Sequence, residues 1–327
     1  MGYLRLPKLL FRIATGSAKK LDLRVTKMCN LRCKNCSIWK ENLGNYGYSS
    51  ELDCDKFDEF FRRHNYWSWI SFTGGEPFTR KDLVKIVEIA VRRCSGLHTI
   101  SIPTNGLLTE KIVKDVLALT RLGIPSIYIS VSLDGPRKIH NDLRENDRVF
   151  DNAVSTFQKL RSLRSPGLKV HFEFLISKRN QGLLRKTISD LGLSPNDFVL
   201  TIAQNGFFYD NLSLEVKPEE EALKREIRWF MSGLKLTSPH NYAQLMFLSY
   251  VCKDIPLPCA AGRNSFFMDE QGSVYPCILV PKKIGDWHSE TFDSFSKESC
   301  CPCRTPCQAY FPLLLEFPLP ILRTVFS

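Results

Sequence analysis

An α/β fold on a parallel sheet is what this sequence predicts, and three observations carry the prediction. Six short runs rich in β-branched and aromatic residues recur at intervals from residue 21 to residue 203. A stretch with helical apolar spacing lies in each interval. Glycine, asparagine and aspartate gather where the runs end. Strands that alternate with helices pair in parallel, with helices covering the sheet. Several runs are apolar throughout, which suits either a doubly wound sheet or a partial barrel.

The predicted strands are residues 21–26, 69–73, 99–103, 126–133, 170–177 and 198–203. The predicted helices between them are 53–63, 81–93, 110–122, 150–163 and 183–191. In the second helix Leu83, Ile86, Val87, Ala90 and Val91 form one apolar stripe. Thr79 and Thr109 are the expected caps of the second and third helices. After Gln204 the alternation stops. A helix with an acidic start is expected over 218–234, with Pro218 in its first turn, and another over 241–252. From Cys259 onward the chain is rich in turns and cysteines. A short hairpin is expected over 268–274, turning at Gln271-Gly272. The implied division is a basic segment (1–20), an α/β core (21–205), a helical connection (206–255) and a cysteine-rich region with an apolar tail (256–327).

Composition narrows the function. The 327 residues suffice for one large domain or two small ones. With 43% hydrophobic and 24% charged residues, the chain reads as globular rather than disordered. No apolar run is long enough for a spanning helix, and the start lacks a small-residue cleavage pattern. A cytoplasmic, reducing location is the expectation. The net charge is +11, and residues 1–40 carry ten Lys or Arg against one Asp. No aromatic-and-basic stripe accompanies them, so nucleic acid is not expected as a partner. The segment mixes Leu4, Leu6, Leu9, Leu10 and Phe11 with Arg5, Lys8 and Arg12, and residues 308–327 are strongly apolar. The tail also carries Pro312, Pro318 and Pro320, which preclude a regular helix across it. Together these leave peripheral contact with an anionic membrane surface open.

The twelve cysteines cluster too unevenly for a disulfide framework. Cys29, Cys33 and Cys36 fall in one loop after the first strand. A closed zinc site asks for four ligands. Three thiolates with no fourth nearby suit an iron–sulfur cluster with one iron left open. At the end of the second predicted strand stands Thr73-Gly74-Gly75-Glu76-Pro77. Its glycines would let the backbone approach a ligand closely, and Glu76 would accept from an ammonium group. Polar turns also follow the later strands: Asn105-Gly106, Ser132-Leu133-Asp134-Gly135, Asn180 and Gln204-Asn205.

A C-x3-C-x2-C loop followed by a GGEP strand end resembles the radical S-adenosylmethionine (radical SAM) superfamily. The resemblance implies a partial (β/α)6 radical SAM barrel. It implies a [4Fe–4S] cluster on Cys29, Cys33 and Cys36, and SAM contacts from Gly74, Gly75, Glu76, Pro77, Asn105, Ser132 and Asp134. The family usually has an aromatic residue before the third cysteine, packed near the adenine; here it is Asn35, with Trp39 a candidate substitute. Near the C-terminus Cys259, Cys277, Cys300, Cys301, Cys303 and Cys307 resemble a small SPASM/Twitch-like extension. That resemblance implies one auxiliary [4Fe–4S] cluster on Cys259, Cys277, Cys300 and Cys303, with Cys307 as an alternative ligand and zinc as the competing metal. Cys54, Cys94 and Cys252 fall on predicted helices and read as structural thiols.

The expected activity is reductive cleavage of SAM to a deoxyadenosyl radical that abstracts hydrogen from an unactivated C–H bond. Substrate oxidation or cross-linking would follow with the auxiliary cluster's help. The implied partners are an electron donor such as flavodoxin or ferredoxin, and a small-molecule, lipid or peptide substrate. About twenty residues precede the first strand, too few for a peptide-recognition domain, so a peptide would need a separate recognition partner or a short motif. A non-catalytic metal-binding module is the alternative class, and an open metal position argues against it. No catalytic acid or base stands out; Glu173, His171, Asp269 and Tyr275 are candidates by residue type.

Overall fold

The computed structural model describes residues 17–43, 50–236, 238–295 and 303–305, with Arg12, Thr15, Ala309 and Leu313 besides. The rest of the basic N-terminal segment and of the apolar tail, and Cys300, Cys301 and Cys307, lie outside the described residues.

All six expected strands form: β1 (Lys19–Thr26), β2 (Trp67–Gly74), β3 (Thr99–Thr104), β4 (Ser126–Ser132), β5 (Leu168–Ile176) and β6 (Phe198–Ile202). Consecutive strands pair in parallel, in the spatial order of the sequence. The crossovers carry α1 (Cys54–Arg63), α2 (Leu83–Arg93), α3 (Thr109–Thr120), α4 (Arg137–Arg144), α5 (Val149–Ser162) and α6 (Leu184–Asp190). After β6 come α7 (Glu220–Gly233) and α8 (Pro239–Cys252). Pro218 therefore precedes α7 rather than opening it.

Strand alternation sorts the two faces of the sheet. Leu21, Leu23, Val25, Ile70, Phe72, Ile100 and Ile129 are buried in the layer packed against the helices. Each such side chain gains about 1.5–3 kcal/mol from burial, which makes this layer the main stabiliser of the scaffold. The intervening positions are polar: Asp22, Arg24 and Thr26 on β1, Thr73 on β2, Ser132 on β4, and His171 and Glu173 on β5. They turn to the other face, where the C-terminal half of the barrel holds the cavity.

The hairpin forms where expected, as β7 (Ser265–Met268) and β8 (Ser273–Tyr275), followed by β9 (Gly285–Asp286). Gly272 makes the turn with φ +88°, and a side chain there would strike Trp287. Its placement is new. β7 pairs in parallel with β1, register Lys20↔Ser265 to Leu23↔Met268, so the hairpin continues the barrel sheet to nine strands.

Two expected caps are corrected. Thr79 ends a 3-10 turn, Pro77–Thr79, and donates to the Glu76 carbonyl; α2 starts later, after Asp82. Thr109 is the first residue within α3, and its hydroxyl accepts from Thr156 of α5 at 2.8 Å. Each hydroxyl has a closer partner than the helix end it was expected to serve.

Candidate active site

The site begins where β1 ends. Thr26 Oγ1 donates to Glu51 Oε1 at 2.6 Å, and the Lys27 N–H donates to the same oxygen at 3.0 Å. Arg80 holds the other side, donating to the Val25 carbonyl at 2.6 Å and to Glu51 Oε2 at 3.2 Å. Glu51 and Arg80 are both buried, so the turn into the cysteine loop is held by an ion pair shielded from water. Neither residue lies in a recognisable motif, and their sequence separation gave no cue.

The GGEP segment locks onto this turn. Gly75 N–H donates to Thr26 O at 2.9 Å and Glu76 N–H to Met28 O at 2.8 Å. A Cβ on Gly74 would lie 2.5 Å from Thr26 O, and one on Gly75 would lie 2.4 Å from Met28 O. The glycines are therefore required by the backbone that leads into Cys29. Both glycines also line the cavity.

Cys29, Cys33 and Cys36 all face one cavity of about 300 Å³ at the C-terminal ends of the strands. None of the three is in a disulfide. The loop is pinned by Lys34 N–H to Leu143 O at 2.9 Å and by Ser37 N–H to Tyr209 O at 3.0 Å. Burial pushes the Cys29 thiol up to about 12 and the Cys36 thiol up to about 11, and raises Cys33 as well. A metal that takes these thiols as ligands must displace their protons. Among the described residues no three His, Cys, Asp or Glu side chains are grouped to hold a single ion. A cluster that takes one thiolate on each iron does not ask for such a group. The donor set, all sulfur and three in one loop, fits an iron–sulfur cluster.

Glu76 sits beneath this loop, buried. Oε1 accepts from Thr104 Oγ1 at 2.8 Å and Phe78 N–H at 3.2 Å; Oε2 accepts from Asn105 N–H at 2.7 Å. Burial pushes its carboxyl up to about 7 against these hydrogen bonds. Asn105 donates to Asn30 Oδ1, next to Cys29, at 2.7 Å. Ser132 and Pro77 also line the cavity.

Asp134 has a partner that sequence reasoning missed. Its Oδ2 accepts from Arg144 Nε at 2.8 Å and Nη2 at 2.7 Å. Burial works to lower the Arg144 pKa, but Asp134 and then Cys33 outweigh it and raise it. The Arg144 charge also acts on Cys33, opposing the rise that burial imposes on its thiol. Arg144 closes α4, a short polar helix whose buried residues are only His140 and Leu143, so periodicity did not reveal it.

Comparison with known families settles kinship. The family model described as the radical SAM superfamily matches residues 23–191. The chain belongs to the radical SAM superfamily. Among its relatives, the Fe-coproporphyrin III synthase of Methanosarcina barkeri is 28% identical over 54% of this chain and 41% of that protein. The AdoMet-dependent heme synthase of Oleidesulfovibrio alaskensis is 22% identical over 91% of this chain and 79% of that protein. The chain thus spans less than half of the first relative and most of the second. Among solved structures, anSMEcpe with bound AdoMet shares the fold, with a TM-score of 0.60 at 14% identity, covering 94% of this chain and all of that one. The named relatives are enzymes, and so is this radical SAM protein.

The other predicted residues divide. Glu173 lines the cavity, and burial pushes its carboxyl up to about 7. His171 lies two residues before Glu173 on β5, in a cluster of three mutually packed rings with Tyr128 and His240, and does not line the cavity. Tyr275 donates to Asp269 Oδ2 at 3.1 Å, and Asp269 Oδ1 takes the Ser273 N–H at 2.8 Å, so both brace the hairpin. Asn180 staples its loop to the Asp134 and Leu175 carbonyls, each at 2.8 Å. Trp39 lines the cavity and donates to Cys36 O at 3.0 Å. Cys94 is buried, while Cys54 and Cys252 are half-buried at helix ends.

Of the later cysteines, Cys259, Cys277 and Cys303 are described, and none of the three is in a disulfide. Gly262 N–H donates to Pro276 O at 3.2 Å, which ties the turn after Cys259 to the residue before Cys277. Leu279 N–H points at Cys277 Sγ at 3.4 Å, and Thr305 N–H at Cys303 Sγ at 3.3 Å. Amide donors aimed at sulfur are what a cluster thiolate uses.

Proposed function

We propose that Cys29, Cys33 and Cys36 hold a [4Fe–4S] cluster and that the adjoining cavity binds SAM. Such a cluster, when bound and reduced, supplies the electron that cleaves SAM to methionine and a deoxyadenosyl radical, which abstracts hydrogen from an unactivated carbon. The residues of this chain bind, orient and exclude water. Glu51 and Arg80 fix the entry of the cysteine loop, and Gly74 and Gly75 let it pack on β2. The Glu76, Asn105 and Ser132 side chains supply polar contacts, and the Asp134–Arg144 pair presents a positive group suited to a carboxylate. The observation that carries this reading is that the cysteine loop, GGEP and the ends of β4 and β5 meet in one cavity.

Cys259, Cys277 and Cys303, with Cys300 as the fourth ligand, are proposed to carry one auxiliary [4Fe–4S] cluster. Its role would be to take an electron from the substrate radical, giving net oxidation or cross-linking. Relatives named for haem and coproporphyrin synthesis support a small-molecule substrate ahead of a lipid or a peptide. Flavodoxin or ferredoxin is the proposed class of electron donor. The test is deoxyadenosine formation by the anaerobically reconstituted, reduced protein. Formation in the wild type and none in Cys33→Ala is expected; equal yields from both would overturn the assignment.

A further inference from the structure

A separate cavity of about 300 Å³ lies against the first residues of β5, and none of its lining residues belongs to the cysteine-loop cavity. β6 pairs with β5 only from Phe172 onward, so no strand covers Leu168 to His171 on that side. The opening is flanked instead by the end of α5 and by the turn that precedes β6.

Charge is unevenly distributed around this opening. Arg161, Arg164 and Lys169 supply three cations, and among the described residues Asp197 is the one carboxylate of the lining. Asp197 is already committed. Its Oδ1 accepts from Arg161 Nη1 at 2.7 Å, and its Oδ2 accepts from Ser194 N–H at 3.0 Å and Ser194 Oγ at 2.9 Å. Two positive charges are left over. Arg164 is exposed and in no ion pair among the described residues. Lys169 is half-buried, and its Nζ donates to Tyr128 Oη at 2.9 Å, which leaves two N–H bonds to give.

His171 also forms part of the wall. Its ring packs against Tyr128 and His240, yet neither ring nitrogen has a hydrogen bond among the described residues. Burial, and then the Lys169 charge, push its pKa down to about 4, so the ring is neutral with one N–H to donate. A largely buried donor without a protein partner calls for a ligand or water to meet it.

We propose that this pocket binds a phosphate dianion, either free or at the end of a phosphomonoester. Two unneutralised cations match the charge of about −1.5 to −2 that a phosphate group carries near neutral pH, whereas a single carboxylate would leave one cation over. The Arg164 guanidinium, the Lys169 ammonium and the His171 N–H are the donors, and charge-assisted hydrogen bonds of this kind are the strong ones. The pocket is distinct from the cysteine-loop cavity in place and in ligand, so its occupancy is independent of the function proposed above.

The test is equilibrium dialysis of labelled inorganic phosphate against the reconstituted full chain at low ionic strength. One saturable site per chain is expected, unaffected by SAM. Arg164→Gln and Lys169→Gln should each weaken it about tenfold to a hundredfold, the loss of one charge-assisted contact. Arg92→Gln removes the same charge from α2, outside the pocket, and should change the affinity by less than about twofold. Displacement of the ion by methyl phosphate would mark a phosphomonoester site, and retention of the ion a site for free phosphate. No saturable binding would overturn the inference. So would equal losses in Arg92→Gln and Arg164→Gln, which would trace the binding to diffuse charge, or competition between phosphate and SAM, which would place the ion in the other cavity.

Discussion

Substituting Gly75 by alanine tests how the cysteine loop is built. The added methyl would lie 2.4 Å from Met28 O, 2.6 Å from Lys27 O and 2.7 Å from Met28 C, all backbone atoms that cannot swing aside. Relief requires the two segments to part, which breaks Gly75 N–H to Thr26 O and Glu76 N–H to Met28 O. Two hydrogen bonds at about 1 kcal/mol each, plus about 1–3 kcal/mol of overpacking, give a loss of about 3–5 kcal/mol. That is a large fraction of a typical stability. Because the displaced backbone leads straight into Cys29, iron loading should fall with stability. Gly192→Ala is the control. Its φ is +64° but nothing lies within 4 Å of the new methyl, so only the left-handed backbone penalty of about 1–2 kcal/mol applies. Urea unfolding and iron analysis of both variants measure this. Equal losses in the two, or full iron loading in Gly75→Ala, would refute the close-packing argument.

Further outcomes follow from the same geometry. Arg144→Leu strands a buried Asp134 carboxylate and should cost about 3–5 kcal/mol by urea unfolding, with SAM affinity reduced; Arg144→Leu with Asp134→Leu should recover part of the stability but none of the affinity. Arg80→Leu should destabilise by a similar amount, because it leaves Glu51 buried without its partner, and should lower iron content although Arg80 does not line the cavity. Glu173 binds its proton more tightly folded (about 7) than unfolded (4.5). Its contribution to stability is therefore complete below about pH 4.5 and lost as pH rises through about 7, and Glu173→Gln should flatten the pH dependence of the urea midpoint over that window. Cys277→Ala should remove about four irons per chain and leave deoxyadenosine formation in place; loss of zinc with iron unchanged would reassign that site.

Much of the architecture was legible because its causes are local. Apolar runs between glycine and asparagine turns named β1 to β6, and three cysteines in eight residues named the cluster loop. What escaped depends on contacts distant in sequence. Arg144 sits on a helix too short and polar to show periodicity. Glu51 and Arg80 act on the end of β1 from segments with no motif. The parallel pairing of β7 with β1 joins residues more than two hundred positions apart, and no turn or spacing encodes it. Gly74 and Gly75 were visible, but one constraint on them was not: the backbone from Thr26 to Met28 packs against both. His171 has the right chemistry for catalysis, and strand phase alone could not say that it lies too deep in the barrel to reach the cavity.

The account's central claim is that the three-cysteine loop carries a cluster with an iron open to SAM. Its most direct test is the electron paramagnetic resonance spectrum of the reduced, reconstituted protein with and without SAM, measured in Cys259→Ala so that auxiliary signals are removed. The account predicts a cluster signal whose shape changes when SAM is added, and which is lost in the double variant that also carries Cys33→Ala. A fully loaded cluster with the same spectrum in the presence and absence of SAM would contradict it.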